Sequence, residues 1–131
     1  MNMRGIKMHI DELLKLLIDL DLYISQHALY ISKLERAIKH GEPFEHKNCH
    51  QCNFGIAWDE EIKPIKDALP EDLKALVEDI EKTHCQFHEV SMKIDPKNPE
   101  ETNQENLRIA KDLINQLYKK LLQLQKLLKE E

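Results

Sequence analysis

IKMHIDELLKLLIDLDLYISQHALYISKLERAIKH, residues 6–40, spaces its apolar side chains as only a helix can use them. Ile10, Leu13, Leu17, Leu20, Ile24, His27, Ile31, Leu34 and Ile38 follow one another at alternating intervals of three and four. On a 3.6-residue turn these positions share one side, so a single long helix with one apolar seam is expected. One member of that seam is a histidine, His27. Gly41 and Pro43 end the segment, the first by tolerating a left-handed backbone and the second by lacking an amide hydrogen.

Beyond this helix, residues 42–53 form a polar connector rich in His and Cys, followed by a short second helix from about Gly55 to Asp67. Pro70, Glu71 and Asp72 suit the first turn of a third helix, because proline wastes no donor there and the acids face the positive end of the dipole. Its apolar face holds Leu73, Leu76, Val77, Ile80, Phe87 and Val90, and His84 and His88 continue it. Residues 95–103 contain two prolines and read as a loop. The last helix starts near Pro99 or Thr102 and carries Leu107, Ala110, Ile114, Leu117, Leu121, Leu124 and Leu128 at helical spacing. The expected fold is all-α: one domain over residues 1–131, an antiparallel four-helix bundle with a short extra helix carrying Cys52.

Composition agrees. Charged residues make up 33% of the chain and aromatics 5%, a balance that favours helices over sheets. A net charge of -5 offers no basic stripe for phosphates, so no nucleic-acid partner is expected. Asp11, Glu12, Lys15, Asp19 and Asp21 interrupt the most apolar stretch before it reaches the roughly 18 residues a membrane span needs. No cleavable apolar leader follows Met1, and a cytoplasmic protein is expected. In that compartment cysteines suggest metal or redox chemistry sooner than a disulfide framework.

The histidines carry the functional signal. His27 lies on the first seam, and His84 and His88, four apart, leave the same side of the third helix. All three imidazoles therefore point into the bundle, where an unpartnered ring is costly and a metal satisfies several at once. A cysteine at the start of the short helix can reach the same level, Cys52 with Cys49 as its rival, and a thiolate added to three imidazoles makes a closed tetrahedral set of the kind that binds structural zinc. Taken singly, each feature has a plainer reading. A seam histidine is commonly a hydrogen-bonded core residue, an HxxxH pair arises by chance, and the CxxC at Cys49 and Cys52 is redox-active, zinc-binding or accidental. Cys49 reads first as a solvated loop cysteine and second as a thiol that resolves oxidation of Cys52. Cys85, about 100° around the helix from His84, reads as a packing residue. His46 and His50 are loop alternatives as ligands.

His27-x-x-Tyr30, Cys52-x-Phe54-Gly55 with Trp58 close behind, and His84-x-x-x-His88 together resemble the signature of the chemoreceptor zinc-binding domain. The resemblance covers roughly residues 10 to 125. It implies a four-helix bundle, usually a homodimer, with Zn2+ held by His27, Cys52, His84 and His88 and with Tyr30, Phe54, Gly55 and Trp58 around the site. It also implies a cytoplasmic sensor of zinc or of a hypochlorite-type thiol oxidant, serving chemotaxis or cyclic di-GMP signalling through a partner. The family has an apolar residue, often Trp, two positions after the glycine; here Ala57 stands there and Trp58 is one further on. No signalling helix pair or catalytic domain is expected beyond the bundle, so a stand-alone module is expected. With no Gly-rich phosphate loop, no nucleophile elbow and four protein ligands around the metal, it is not expected to be an enzyme. The alternatives are an adaptor bundle that zinc only stabilises, and a hemerythrin-like di-iron protein. The second needs Glu-x-x-His pairs on two helices, whereas only Glu81 and His84 make one.

Overall fold

The structure, a computed structural model, describes residues 11, 13–98 and 101–130. Among the described residues its helices include α1 (Leu20–His40), α2 (Asn53–Glu61), α3 (Glu71–Met92) and α4 (Glu101–Glu130), with a 3-10 helix at Lys63–Ala68 between α2 and α3. The expected start of the first helix at Ile6, its seam residue Ile10 and the alternative start of the last helix at Pro99 lie outside the described residues.

Among the described residues the first seam is interrupted once. Residues 13–18 are helical, but Asp19 (φ −91°, ψ 15°) departs from helical geometry. Its N–H bonds to the Leu16 carbonyl at 3.2 Å, a tightened turn, and α1 restarts with Tyr23 N–H on the Asp19 carbonyl at 3.1 Å. Aspartate is a poor helix former because its short carboxylate competes for nearby backbone amides. At the other end, Gly41 adopts φ 64°, and the Gly41 and Glu42 amides reach back to the Ile38 and Ala37 carbonyls. Pro70 stands one position earlier than expected, as the N-cap of α3, with Glu71 and Asp72 in the first turn. The loop before α4 is tied by buried Asn103, whose side-chain amide donates to the carbonyls of Asp95 and Asn98, each at 2.8 Å.

Pairwise contacts set the directions. Tyr30 meets Ser91, and His27 meets His84, so α1 and α3 run the same way. The α2 and 3-10 pair descends between them, with Cys52 level with His84 and Asp67 reaching Lys74. Lys120 on α4 pairs with Asp79 on α3, and Lys111 pairs with Glu35 on α1, so α4 descends as well. This is the up-down-up-down alternation of an antiparallel bundle. The short helix expected as an extra element is itself the descending one.

The main core joins the leucines of residues 13–20, Phe54, Trp58, the Leu73–Phe87 face of α3 and the full leucine seam of α4 from Ala110 to Leu128. Leu34, Ile94 and Leu107 form a second, smaller cluster. No described helix is long and apolar enough to cross a membrane. Replacing Leu117, fully buried in the main core, with Ala is expected to cost about 2–5 kcal/mol in urea unfolding. The same change at Leu122, which is 52% exposed, should stay within about 0.5 kcal/mol.

Candidate metal centre

Four ligand atoms converge from three segments. His27 comes from the middle of α1, Cys52 from the N-cap of α2, and His84 and His88 from successive turns of α3. The ligating atoms of all four lie within 4.8 Å of one another. His27 Nε2 is 3.2 Å from His84 Nε2; Cys52 Sγ is 3.2 Å from His84 Nε2 and 4.0 Å from His27 Nε2. A tetrahedral zinc ion with ordinary bond lengths separates nitrogen ligands by about 3.3 Å and nitrogen from sulfur by about 3.6 Å. The set brackets those spacings.

Hydrogen bonds fix which nitrogen faces inward. His27 Nδ1 lies 2.8 Å from the Tyr23 carbonyl, and His88 Nδ1 lies 2.8 Å from the Lys47 carbonyl. A carbonyl only accepts, so each Nδ1 carries the hydrogen and each Nε2 presents a lone pair. His88 Nε2 is buried with no hydrogen-bond partner in the protein. A metal is the partner that satisfies it. The donor set is soft sulfur plus imidazole, without a carboxylate, and it fits zinc.

The residues around the ligands hold them still. Tyr30 OH accepts the Lys47 amide hydrogen at 3.4 Å and donates to Ser91 Oγ at 3.3 Å, which in turn donates to the His88 carbonyl at 2.9 Å. The connector at Lys47 is thereby bound to both α1 and α3. Phe54 packs edge-on against the ring of His84, with centroids 4.8 Å apart. Trp58 backs Phe54 at 5.3 Å and donates its indole N–H to Glu81. The one-residue displacement of the tryptophan therefore leaves it on the Phe54 face, because residues four apart share a side of a helix. A Cβ on Gly55 would overlap the Cys49 carbonyl oxygen and stand 3.3 Å from His84 Cε1, so only glycine lets α2 approach this closely.

Burial sets the protonation states of the metal-free site. It lowers the pKa of His27, and lowers His84 to about 2 and His88 to about 4; at His84 and His88 the neighbouring imidazoles add to the effect. Burial also raises the Cys52 thiol, only partly offset by the Gly55 N–H on its sulfur at 3.3 Å. Neutral imidazoles are the form that binds a metal.

Other expectations meet a different outcome. Cys49 is neither a solvated loop residue nor a neighbour poised for Cys52: it is buried and joined by a disulfide to Cys85, leaving Cys52 as the free cysteine. The roughly 100° offset that removes Cys85 from the His84 face turns it toward the connector. His46 and His50 stand outside the four-ligand group. His46 donates to the Ile94 carbonyl, and His50 pairs with Asp59. Glu81 is held by Trp58 and Lys66 and does not join the histidines, contrary to a di-iron arrangement.

Comparison with known families finds a match over the ligand-bearing part of the chain. The model of the chemoreceptor zinc-binding domain matches residues 27–94, an interval that begins at the first proposed ligand and closes just after the last. Neither the curated proteins nor the solved structures contain a match.

Two outcomes are expected. Gly55→Ala should lose about 1–3 kcal/mol of stability by thermal or urea unfolding, because the Cys49 carbonyl has to yield. In chelator-treated protein, His84 and His88 titrate in the folded state well below the 6.5 of an ordinary imidazole. The unfolded chain takes up those protons first, so stability is full above about pH 6.5 and falls as the pH drops. Each imidazole kept neutral contributes a slope of about 1.4 kcal/mol per pH unit. Urea midpoints measured from pH 7 to pH 5 should fall accordingly, and fall less steeply in His84→Gln.

Proposed function

The chain belongs to the chemoreceptor zinc-binding domain family, and from that membership we propose that it is a cytoplasmic regulatory module that reads zinc or thiol oxidants through this centre. His27, Cys52, His84 and His88 would hold the ion, which would keep Cys52 deprotonated and nucleophilic. The observation that carries the reading is the buried, unpartnered His88 Nε2 facing three other inward donors. Four protein ligands fill a tetrahedral shell, which supports a role other than catalysis, since an enzyme keeps a position open for substrate.

A cleft of ≈ 620 Å³ between α1 and the connector reaches His27, Cys52 and His88 and is edged by Lys33, Arg36 and Lys47. Small oxidants can approach Cys52 by this route. A hypochlorite-type oxidant transfers oxygen to the Cys52 sulfur and leaves as chloride, giving a sulfenic acid that donates poorly to a metal. Because the ligands tie α1, the connector and α3 together, loss of one ligand loosens the packing of three segments. The output runs through a homodimer or a partner in chemotaxis or cyclic di-GMP signalling. Ile18, Leu22 and Leu29, exposed along the first helical run, support an association surface.

Purified protein is expected to carry zinc at this site, to lose it in Cys52→Ala, and to release it with one equivalent of hypochlorite. Loss of zinc should also change the oligomeric state measured by light scattering. Absence of co-purified metal, together with a melting temperature unmoved by added zinc, would sink the proposal. Zinc that alters stability alone, with oligomeric state and partner binding unchanged, would reduce the site to a structural one.

A further inference from the structure

A second constellation lies along a cleft that Gly55 also lines. Cys49 from the connector and Cys85 from α3 are joined by their disulfide, and a ring nitrogen of His50 lies with both sulfurs inside 4.8 Å. His50 Nδ1 donates to Asp59 Oδ2 at 2.7 Å, which leaves Nε2 as the nitrogen with a lone pair. An imidazole oriented by a carboxylate behind it is the usual arrangement of a metal-binding histidine. Cys49, His50, Asp59 and Cys85 also line one cleft of ≈ 310 Å³ that opens to solvent, so the group has an entry path.

We propose that Cys49, Cys85 and His50 form a second site for a thiophilic divalent cation such as zinc, present only when the disulfide is reduced. Asp59 positions His50 and water takes the fourth place. A dithiol reductant donates two electrons to the disulfide; the sulfur–sulfur bond breaks, both cysteines become thiols, and the reductant leaves as its own disulfide. Each thiol gives up its proton as it binds the cation. A cytoplasmic location makes this exchange relevant, because disulfides there are usually transient or redox-sensing. Cys49 and His50 lie in a hydrogen-bonded turn of the connector, and once the sulfur–sulfur bond is broken, rotation about each Cα–Cβ bond lets the sulfurs part to the spacing of two thiolates on one ion. Oxidation would close the site by turning two ligands into a disulfide. The protein would then bind two cations when reduced and one when oxidised.

Cobalt(II) titration of the full chain tests this, because thiolate-to-cobalt absorption reports each sulfur that binds. Reduced protein should take up two equivalents and oxidised protein one. Cys52→Ala isolates the second site: one equivalent with two-thiolate absorption when reduced, and none at that site when oxidised. Reduced Cys85→Ser should return to one equivalent. His50→Ala, a change at an exposed side chain, should weaken the second equivalent tenfold or more while leaving the first intact. Failure of reduced Cys52→Ala to bind cobalt with thiolate absorption would overturn the proposal, even if the wild-type protein keeps its first ion. A second equivalent that persists in Cys49→Ser and Cys85→Ser would overturn it as well.

Discussion

Ligand atoms brought together away from bulk water need a partner, and the centre of this bundle holds a thiol and three imidazoles so placed, with His88 Nε2 left without one. Burial removes the water that would have paired with them, and protonation is no escape, since a second or third charge in the same space is worse. The lowered affinities of His84 and His88 for protons express both pressures. A shared cation relieves all four donors at once. The architecture makes sense as a means of bringing those donors to one height in the bundle.

Each surrounding contact serves that end. Lys47 spends its amide on Tyr30 and its carbonyl on His88, so one residue of an irregular connector is attached to two helices. Gly55 lets α2 press against the Cys49 backbone, which puts Cys52 at the helix start beside His84. Phe54 closes the site against the main core. None of these residues is among the four ligand candidates, yet each fixes the direction of one that is.

Much of this was legible in the chain. The seam of α4 from Leu107 to Leu128 is buried along its whole length, and His27 sits inward as its neighbours Leu20, Ile31 and Leu34 imply. Periodicity reports which side of a helix is covered, and that was enough to select His27, His84 and His88. It does not report what covers it. The Cys49–Cys85 link joins residues 36 apart in sequence, on a helix flank that the apolar pattern leaves unmarked. The Lys47 carbonyl beneath His88 is a backbone group, which no residue type announces. Asp19 falls between seam positions, so its apolar neighbours kept the pattern unbroken although the backbone turns there.

The spacing of the donors along the chain also bears on the order in which a cation meets them. His84 and His88 lie one turn apart on a single helix and are presented together as soon as that turn exists. His27 is 57 residues from His84, and closing so long a loop is an entropic task left to late folding. A cation present during folding would therefore meet the paired histidines of α3 first, and the remaining donors would close as α1 and the connector dock. In this protein, filling the centre would be coupled to the docking of α1 and the connector, because the last donors arrive only with that packing.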